Sequence, residues 1–208
     1  MFKTILENTT SEIVEKKSKF IANIFYIENE EQADIKIKEM KKKYFDARHN
    51  CIAFRVIENG NIIERFSDDG EPSGTAGAPM LNILQKNNLC NILVVVTRYF
   101  GGILLGTGGL VRAYSDATIQ AIEKSNKVNV YPGVEYKVKV EYSELESFKY
   151  YCRKNDINIV ILEYQDQIEC NIEFKEELKD RFVKDVEHRD INIIEYQYIG
   201  NKLVKFDD

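Results

Sequence analysis

From Val134 to Tyr142 the chain alternates without a break, with Val134, Tyr136, Val138, Val140 and Tyr142 set between Glu135, Lys137, Lys139 and Glu141. Side chains leave a strand on its two sides in turn, so this stretch predicts a strand with one buried face. Ser143 with Glu146 makes a capping box, and Leu145, Phe148 and Cys152 give the helix behind it an apolar face. The runs I-N-I-V-I-L-E-Y and Q-I-E-C-N-I-E-F predict a hairpin turning at Gln165-Asp166. A helix over about residues 175–188 and a closing strand I-N-I-I-E-Y-Q-Y-I follow. The order βαββαβ is the ferredoxin-like split motif.

Upstream, strand-like runs at about residues 12–17 and 19–27 precede a helix at about 30–43. Strands at 50–57 and 61–67 meet at Asn59-Gly60, a strong hairpin signal. S-D-D-G-E-P-S-G-T-A-G-A-P-M-L leads into a second helix, and N-I-L-V-V-V-T-R makes an apolar strand. A glycine-rich loop then opens a last helix whose Leu110, Tyr114, Ala117, Ala121 and Ile122 keep helical spacing to about Lys124. Pro132-Gly133 separates the two periodic regions, so two domains are expected, residues 1–130 and 131–208. The fold class is α+β, because recurrent hairpins prevent an all-parallel sheet.

Composition narrows the setting. A chain of 208 residues has room for two cores. No apolar run is long enough for a bilayer, and M-F-K-T-I-L-E-N-T-T is too short and too polar for a signal peptide. A cytoplasmic protein with no membrane partner is expected. Cys51, Cys90, Cys152 and Cys170 are scattered without a C-x-x-C pair and read as buried reduced thiols. The net charge of −5 divides as +1 over residues 1–130 and −6 over the rest, so nucleic-acid binding must rest on a local patch.

The stretch T-R-Y-F-G-G-I-L-L-G-T-G-G-L-V-R-A-Y holds five of the chain's eleven glycines within nine positions. It is not a phosphate-binding loop, since Thr107 and Gly108 stand where Lys and Ser or Thr are needed. Counted from Gly106, the dinucleotide pattern fails at Val111. No cofactor is expected. Thr107 as a helix cap would leave the amides of Gly108 and Gly109 open to an anion, and S-G-T-A-G ahead of Pro79 repeats the arrangement. Arg98 ends a strand, and Arg112 lies one turn into a helix, on the unfavourable side of the dipole. Its compensating charge is either Asp68, Asp69 or Glu71, or an external phosphate or carboxylate. Those three acids lack the spacing of a calcium loop and read as turn chemistry, so no metal is expected. His49 beside Arg48 is a candidate acid or base, or a hydrogen-bonded surface histidine. Lys41, Lys42 and Lys43 are either helix C-terminal cations or a phosphate patch.

Three stretches together resemble the bacterial YigZ branch of the IMPACT family. They are D-A-R-H-N-C from Asp46, R-F-S-D-D-G-E-P-S-G-T-A-G-A-P-M-L from Arg65, and V-V-V-T-R-Y-F-G-G-I-L-L-G-T-G-G-L-V-R-A-Y from Val94. The resemblance is specific in the first domain and rests on layout in the second. Asn50 stands where many relatives carry a second histidine, which weakens any scheme needing a histidine pair. The resemblance implies an N-terminal domain like the second domain of a small-subunit ribosomal protein and like domain IV of elongation factor G. It implies a C-terminal ferredoxin-like domain similar to that factor's domain V. Eukaryotic relatives regulate translation under starvation by binding an activator of an initiation-factor kinase. They carry a different second module, so that partner does not transfer.

Three readings follow. The first is a factor binding structured RNA or the ribosome and linked to regulation of translation, with Arg98, Arg112, Thr107, Gly108, Gly109, Arg48 and His49 as contacts. The second is an enzyme acting on a small anionic or phosphorylated substrate at a cleft of Asp68, Glu71, Arg98 and Arg112. The third is an adaptor with a protein partner. A closed cleft favours the enzyme, and an open basic shelf favours RNA.

Overall fold

The computed structural model describes residues 1–58, 60–164 and 166–206, so Asn59 and Gln165, which the sequence assigns to hairpin turns, lie outside the described residues. The chain divides into two units, Phe2–Val128 and, apart from Met1, Asn129–Asp208.

In the first unit, β3 (Ser18–Tyr26) and β6 (Ile92–Tyr99) are buried along most of their length, and strands apolar on both sides belong in the middle of a sheet. The sheet runs β2 (Thr9–Glu15), β3, β6, β4 (His49–Glu58), β5 (Asn61–Ser67), with every neighbouring pair antiparallel. Alternation along β6 feeds two cores. Val94 and Val96 join Phe20, Ala22 and Ile24 beneath α2 (Gly77–Lys86) and α3 (Gly106–Lys124), where Met80, Leu84, Tyr114 and Ala117 meet them. Leu93 and Val95 turn the other way, to Phe25, Phe54 and Val56, under Ala33 and Met40 of α1 (Glu30–Lys43). A short strand β1 (Phe2–Ile5), which no pattern announces, is tied in by Lys3 N–H to Asn88 O and Cys90 N–H to Lys3 O, both 2.9 Å.

Register collects the loops. Phe20 pairs with Arg98, Arg98 with His49, and Ile52 with Ser67, so the start of β3, the end of β6, the start of β4 and the end of β5 share one end of the sheet. That end carries the turn at residues 16–17 and the loops at 44–48, 68–76 and 100–105.

The second unit has the order βαββαβ: β7 (Lys127–Val140), α4 (Leu145–Lys154), β8 (Asn158–Tyr164), β9 (Ile168–Lys175), α5 (Lys179–Glu187), β10 (Glu195–Phe206). Its strands lie β8-β9-β7-β10, all antiparallel. Val134, Tyr136 and Val138 meet Ile168, Cys170, Ile172 and Phe174 under Phe148, Cys152 and Phe182. This is the α+β, two-unit architecture that the sequence led us to expect.

Some details differ. Pro132-Gly133 does not break the chain but lies inside β7. Pro132 faces Leu203 of β10, while pairing with β9 starts only at Gly133, so the ring without an N–H lies just outside the stretch paired with β9. Gly133 is needed for close approach, since an added Cβ would stand 2.4 Å from Val204 Cγ1. The capping box is absent: α4 follows a 3-10 turn, Tyr142–Glu144, and its N-cap Glu144 makes no side-chain cap. The closing strand begins at Glu195 and runs on to Phe206 because β7 offers partners from Lys139 back to Asn129, and Ile191 reaches the core from outside the strand. Among the described residues no helix is long and apolar enough to cross a membrane.

All four cysteines are free and buried. Burial pushes the thiols of Cys51 and Cys152 up to about 12 and that of Cys170 to about 11. Above a pH of about 9 the unfolded chain ionises these thiols while the native chain still holds them neutral. Their contribution is therefore complete below that pH and is lost towards about 12. The urea midpoint should fall across this window, less steeply in Cys152→Ala, and equal slopes would contradict the assignment.

We propose that the two units fold independently. A fragment of residues 129–208 buries its sheet against its own helices and should unfold cooperatively in urea. A broad, transition-free loss of circular dichroism would overturn this.

Candidate functional site

After Ser67 the chain must turn from β5 into α2, and it does so through left-handed backbone at Asp69 (φ 43), Gly70 (φ 87) and Gly74 (φ 76). The Asp68 carboxylate closes this turn, accepting Gly74 N–H on Oδ2 at 2.8 Å and the N–H groups of Ala76 and Gly77 on Oδ1 at 3.0 and 2.8 Å. The anion at the start of α2 is thus the chain's own. Gly77 is a packing glycine, since a Cβ there would stand 2.8 Å from the backbone nitrogen of Ser67.

Asp69 ties the turn to β4 and α1. Its Oδ2 accepts Asn50 N–H at 2.7 Å, and its Oδ1 accepts Lys41 Nζ at 2.7 Å. Its carbonyl lies 2.9 Å from His49 Nδ1. A carbonyl only accepts, so Nδ1 carries the proton, and Nε2 faces Glu71 Oε1 at 3.9 Å. His49 is thereby a hydrogen-bonded linker.

Glu71 is buried, and its Oε1 accepts Arg98 Nη1 at 2.7 Å and the Tyr114 hydroxyl at 2.9 Å. Arg98 is only 7 % exposed, with Nη2 3.5 Å from Ser18 Oγ and its guanidinium 5.5 Å from the Phe20 ring and 5.6 Å from the Phe100 ring. Burial, then Cys51 and Glu71, push the Tyr114 phenol up, so it remains a donor.

This geometry corrects several expectations. Arg98 is not a surface cation, and Glu71 compensates Arg98 rather than Arg112. The expected cleft is filled by the two groups themselves. Arg112 is exposed and makes no ion pair or hydrogen bond among the described residues. Thr107 is not a cap, because α3 begins at Gly106 with Leu105 as N-cap and no side-chain bond. The open amides are therefore those of Gly106, Thr107 and Gly108, while that of Gly109 enters the first helical bond. At Gly101 an added Cβ would lie 2.0 Å from the Lys17 carbonyl carbon, which pins this loop to the β2–β3 turn. Among the described residues no group of His, Cys, Asp and Glu side chains could hold a metal ion.

What the sheet end gathers is different from what the motifs announce. Lys16 and Lys17 form an exposed turn with φ of 45 and 64. With Lys42, Arg48 and Arg112 they are exposed cations that make no side-chain bond among the described residues. Phe45 is 84 % exposed, Phe100 51 % and Leu104 83 %. The Tyr99 hydroxyl donates to Asp46 Oδ1 at 2.7 Å, which fastens the loop bearing Phe45 to the end of β6 and pushes the Tyr99 phenol up to about 12. Lys16 and Lys17, which the sequence placed at the end of a strand-like run, form the turn after β2 instead. The exposure of Phe45 and Phe100 had no sequence signal.

Removing the buried carboxylate leaves Arg98 uncompensated. Glu71→Ala should cost about 3–5 kcal/mol in urea unfolding, against about 1 kcal/mol for Asp68→Ala, which loses a cap. Glu71→Gln combined with Arg98→Met should cost clearly less than the two single changes added together, and strict additivity would show that the pair is not coupled.

Residues 16–122, just over half of the chain, match the Impact N-terminal domain. The IMPACT family member YvyE of Bacillus subtilis (strain 168) is 46% identical over 119 residues, 57% of this chain and 54% of that one. The match thus spans about half of that relative's length. The IMPACT family member YigZ of Escherichia coli (strain K12) is 38% identical over 151 residues, 72% of this chain and 74% of that one. A crystal structure described as that of a hypothetical protein is 31% identical, with 96% and 97% of the two chains covered and a TM-score of 0.63. With a domain match over half its length and a relative aligned across nearly three quarters of it, this chain belongs to the IMPACT family.

Proposed function

We propose that this protein binds RNA in the cytoplasm, with the loop end of its N-terminal sheet as the contact face, as part of the translational regulation associated with its family. The observation that carries this reading is an imbalance of pairing. Asp68, Asp69 and Glu71 are engaged within the fold, by backbone amides, Lys41 and Arg98 respectively. Lys16, Lys17, Lys42, Arg48 and Arg112, at the same end or near the start of α3, are not. The field there is positive although the chain as a whole carries −5. The open amides of Gly106, Thr107 and Gly108 add donors suited to one phosphate. Arg98 leaves the list of contacts and becomes a positioning residue.

The enzyme reading loses its cleft, since Glu71 and Arg98 are spent on each other. An open shelf of unpaired cations supports a polyanion instead.

Each phosphate neutralised releases counterions, so log affinity falls against log salt by about 0.7 per contact on a single strand, and four or five contacts give a slope of roughly −3. Replacing Lys16, Lys17, Arg48 and Arg112 together by Ala should flatten the slope towards zero and weaken all sequences alike. Fluorescence anisotropy with labelled RNA over a salt series measures both. An affinity that ignores salt, or survives the fourfold change, would remove this face from the reading.

A further inference from the structure

Resting on that reading, we propose that the RNA is engaged through unpaired bases, which stack on Phe45 and Phe100. A large aromatic side chain ordinarily contributes to stability by burial, so a phenyl ring 84 % exposed does nothing for this fold. Nor is Phe45 exposed because its loop is slack. Its neighbour Asp46 is held by the Tyr99 hydroxyl at 2.7 Å, and Ala47 N–H donates to Tyr44 O at 3.0 Å. A short, doubly anchored loop holds this ring in water.

Phe100 is presented in a different way. The Arg98 guanidinium lies 5.6 Å from its ring centre, and that guanidinium is itself fixed by Glu71 at 2.7 Å. Half of Phe100 is nonetheless exposed. The buried ion pair therefore holds the ring in place before any ligand arrives, and ordering that is already complete need not be repeated on binding. The two rings flank the Asp46–Tyr99 hydrogen bond, each one residue from a partner in it. Lys42 and Arg48 stand on either side of Phe45 in sequence, and Gly101, next to Phe100, packs on the backbone of Lys17.

Exposed aromatic faces set among unpaired cations match the chemistry of single-stranded nucleic acid, where cations follow the backbone and rings take the bases. A duplex offers such a surface only phosphates and 2′-hydroxyls, because its bases are already stacked on one another. A protein partner would engage the apolar side chains with little dependence on salt.

The test uses the full-length chain with two probes: a fluorescein-labelled oligouridylate of about twelve nucleotides, and a blunt RNA duplex of the same length. The strand should bind about tenfold or more tighter than the duplex. Phe45→Leu and Phe100→Leu should each weaken the strand about tenfold while leaving its salt slope and the duplex unchanged. Phe100→Leu also disturbs Arg98, so Phe45→Leu, at a fully solvated position, is the cleaner variant. Because the chain has no Trp, Phe45→Trp supplies a single indole reporter, and oligouridylate should quench it.

If both leucine variants bind the strand as the parent does while loss of the four cations still abolishes binding, stacking is wrong and the RNA-binding reading stands. If the parent binds neither probe, both fall. An unquenched indole with the strand bound would equally remove Phe45 from the contact.

Discussion

A carboxylate and a guanidinium share a nearly dry site at the loop end of the N-terminal sheet, and most of that end is built on them. Glu71 comes from the loop between β5 and α2, and Arg98 from the end of β6. The Tyr114 that shares the carboxylate comes from α3, and Ser18, which touches Arg98, opens β3. One interaction thus joins four elements distant in sequence. A buried pair of this kind is weak evidence for net stability, because desolvating both charges offsets much of their attraction. Its effect is on uniqueness: either charge left alone in that site is strongly unfavourable, so the loops have one arrangement that satisfies both. The Phe20 ring against both Tyr114 and Arg98 closes the site from below.

The glycine-rich loops look different once that constraint is recognised. S-G-T-A-G and F-G-G-I-L-L-G-T-G-G resemble anion cradles in sequence, yet the first is filled by Asp68 and the second is shaped by sterics. Gly77 and Gly101 lie where a single methyl carbon would collide with the backbone of Ser67 and of Lys17. Gly102 and Gly106 have φ of 85 and 73, which a side chain resists. Glycine spacing that mimics a nucleotide motif here reports two close approaches, Gly77 to Ser67 and Gly101 to Lys17, and two bends with positive φ, at Gly102 and Gly106.

How much of this was legible follows from which forces act locally. The βαββαβ order, the bounds of α1 and β5, and the end of α3 could be read because alternation and helical spacing are properties of consecutive residues. β1 was not legible, since four residues held through Lys3 by the backbones of Asn88 and Cys90 carry no period of their own. The start of β10 was misplaced because strand length is set by the partner, and β7 extends pairing to Asn129. At the site, the grouping of acids with Arg98 was visible from the two loops, but its burial was not, as sequence does not say which of two arginines a carboxylate takes. Nor does it say that Phe45 stays outside, since an apolar residue beside a helix end is ordinarily buried.

On the proposed RNA-binding reading, the C-terminal unit helps to decide which part of the chain is the contact face. A ferredoxin-like sheet that binds RNA generally does so through aromatic side chains on its open face. Here the open face carries cross-strand ion pairs instead: Lys137 with Glu169 at 2.5 Å, Lys202 with Glu173 at 2.7 Å, and Lys139 with Glu195 at 3.0 Å. Each such pair adds little to stability, but together they leave no excess of cations for a polyanion to neutralise. Tyr196 and Tyr198 of β10 turn to the other face, where they pack on Tyr136, and the ring of Phe206 is covered by Lys175 and packs on Tyr131. With residues 131–208 carrying −6, this unit repels a phosphate backbone rather than recruiting one. The small positive balance of the N-terminal unit, gathered at one sheet end, is then the part of the chain suited to draw a polyanion in.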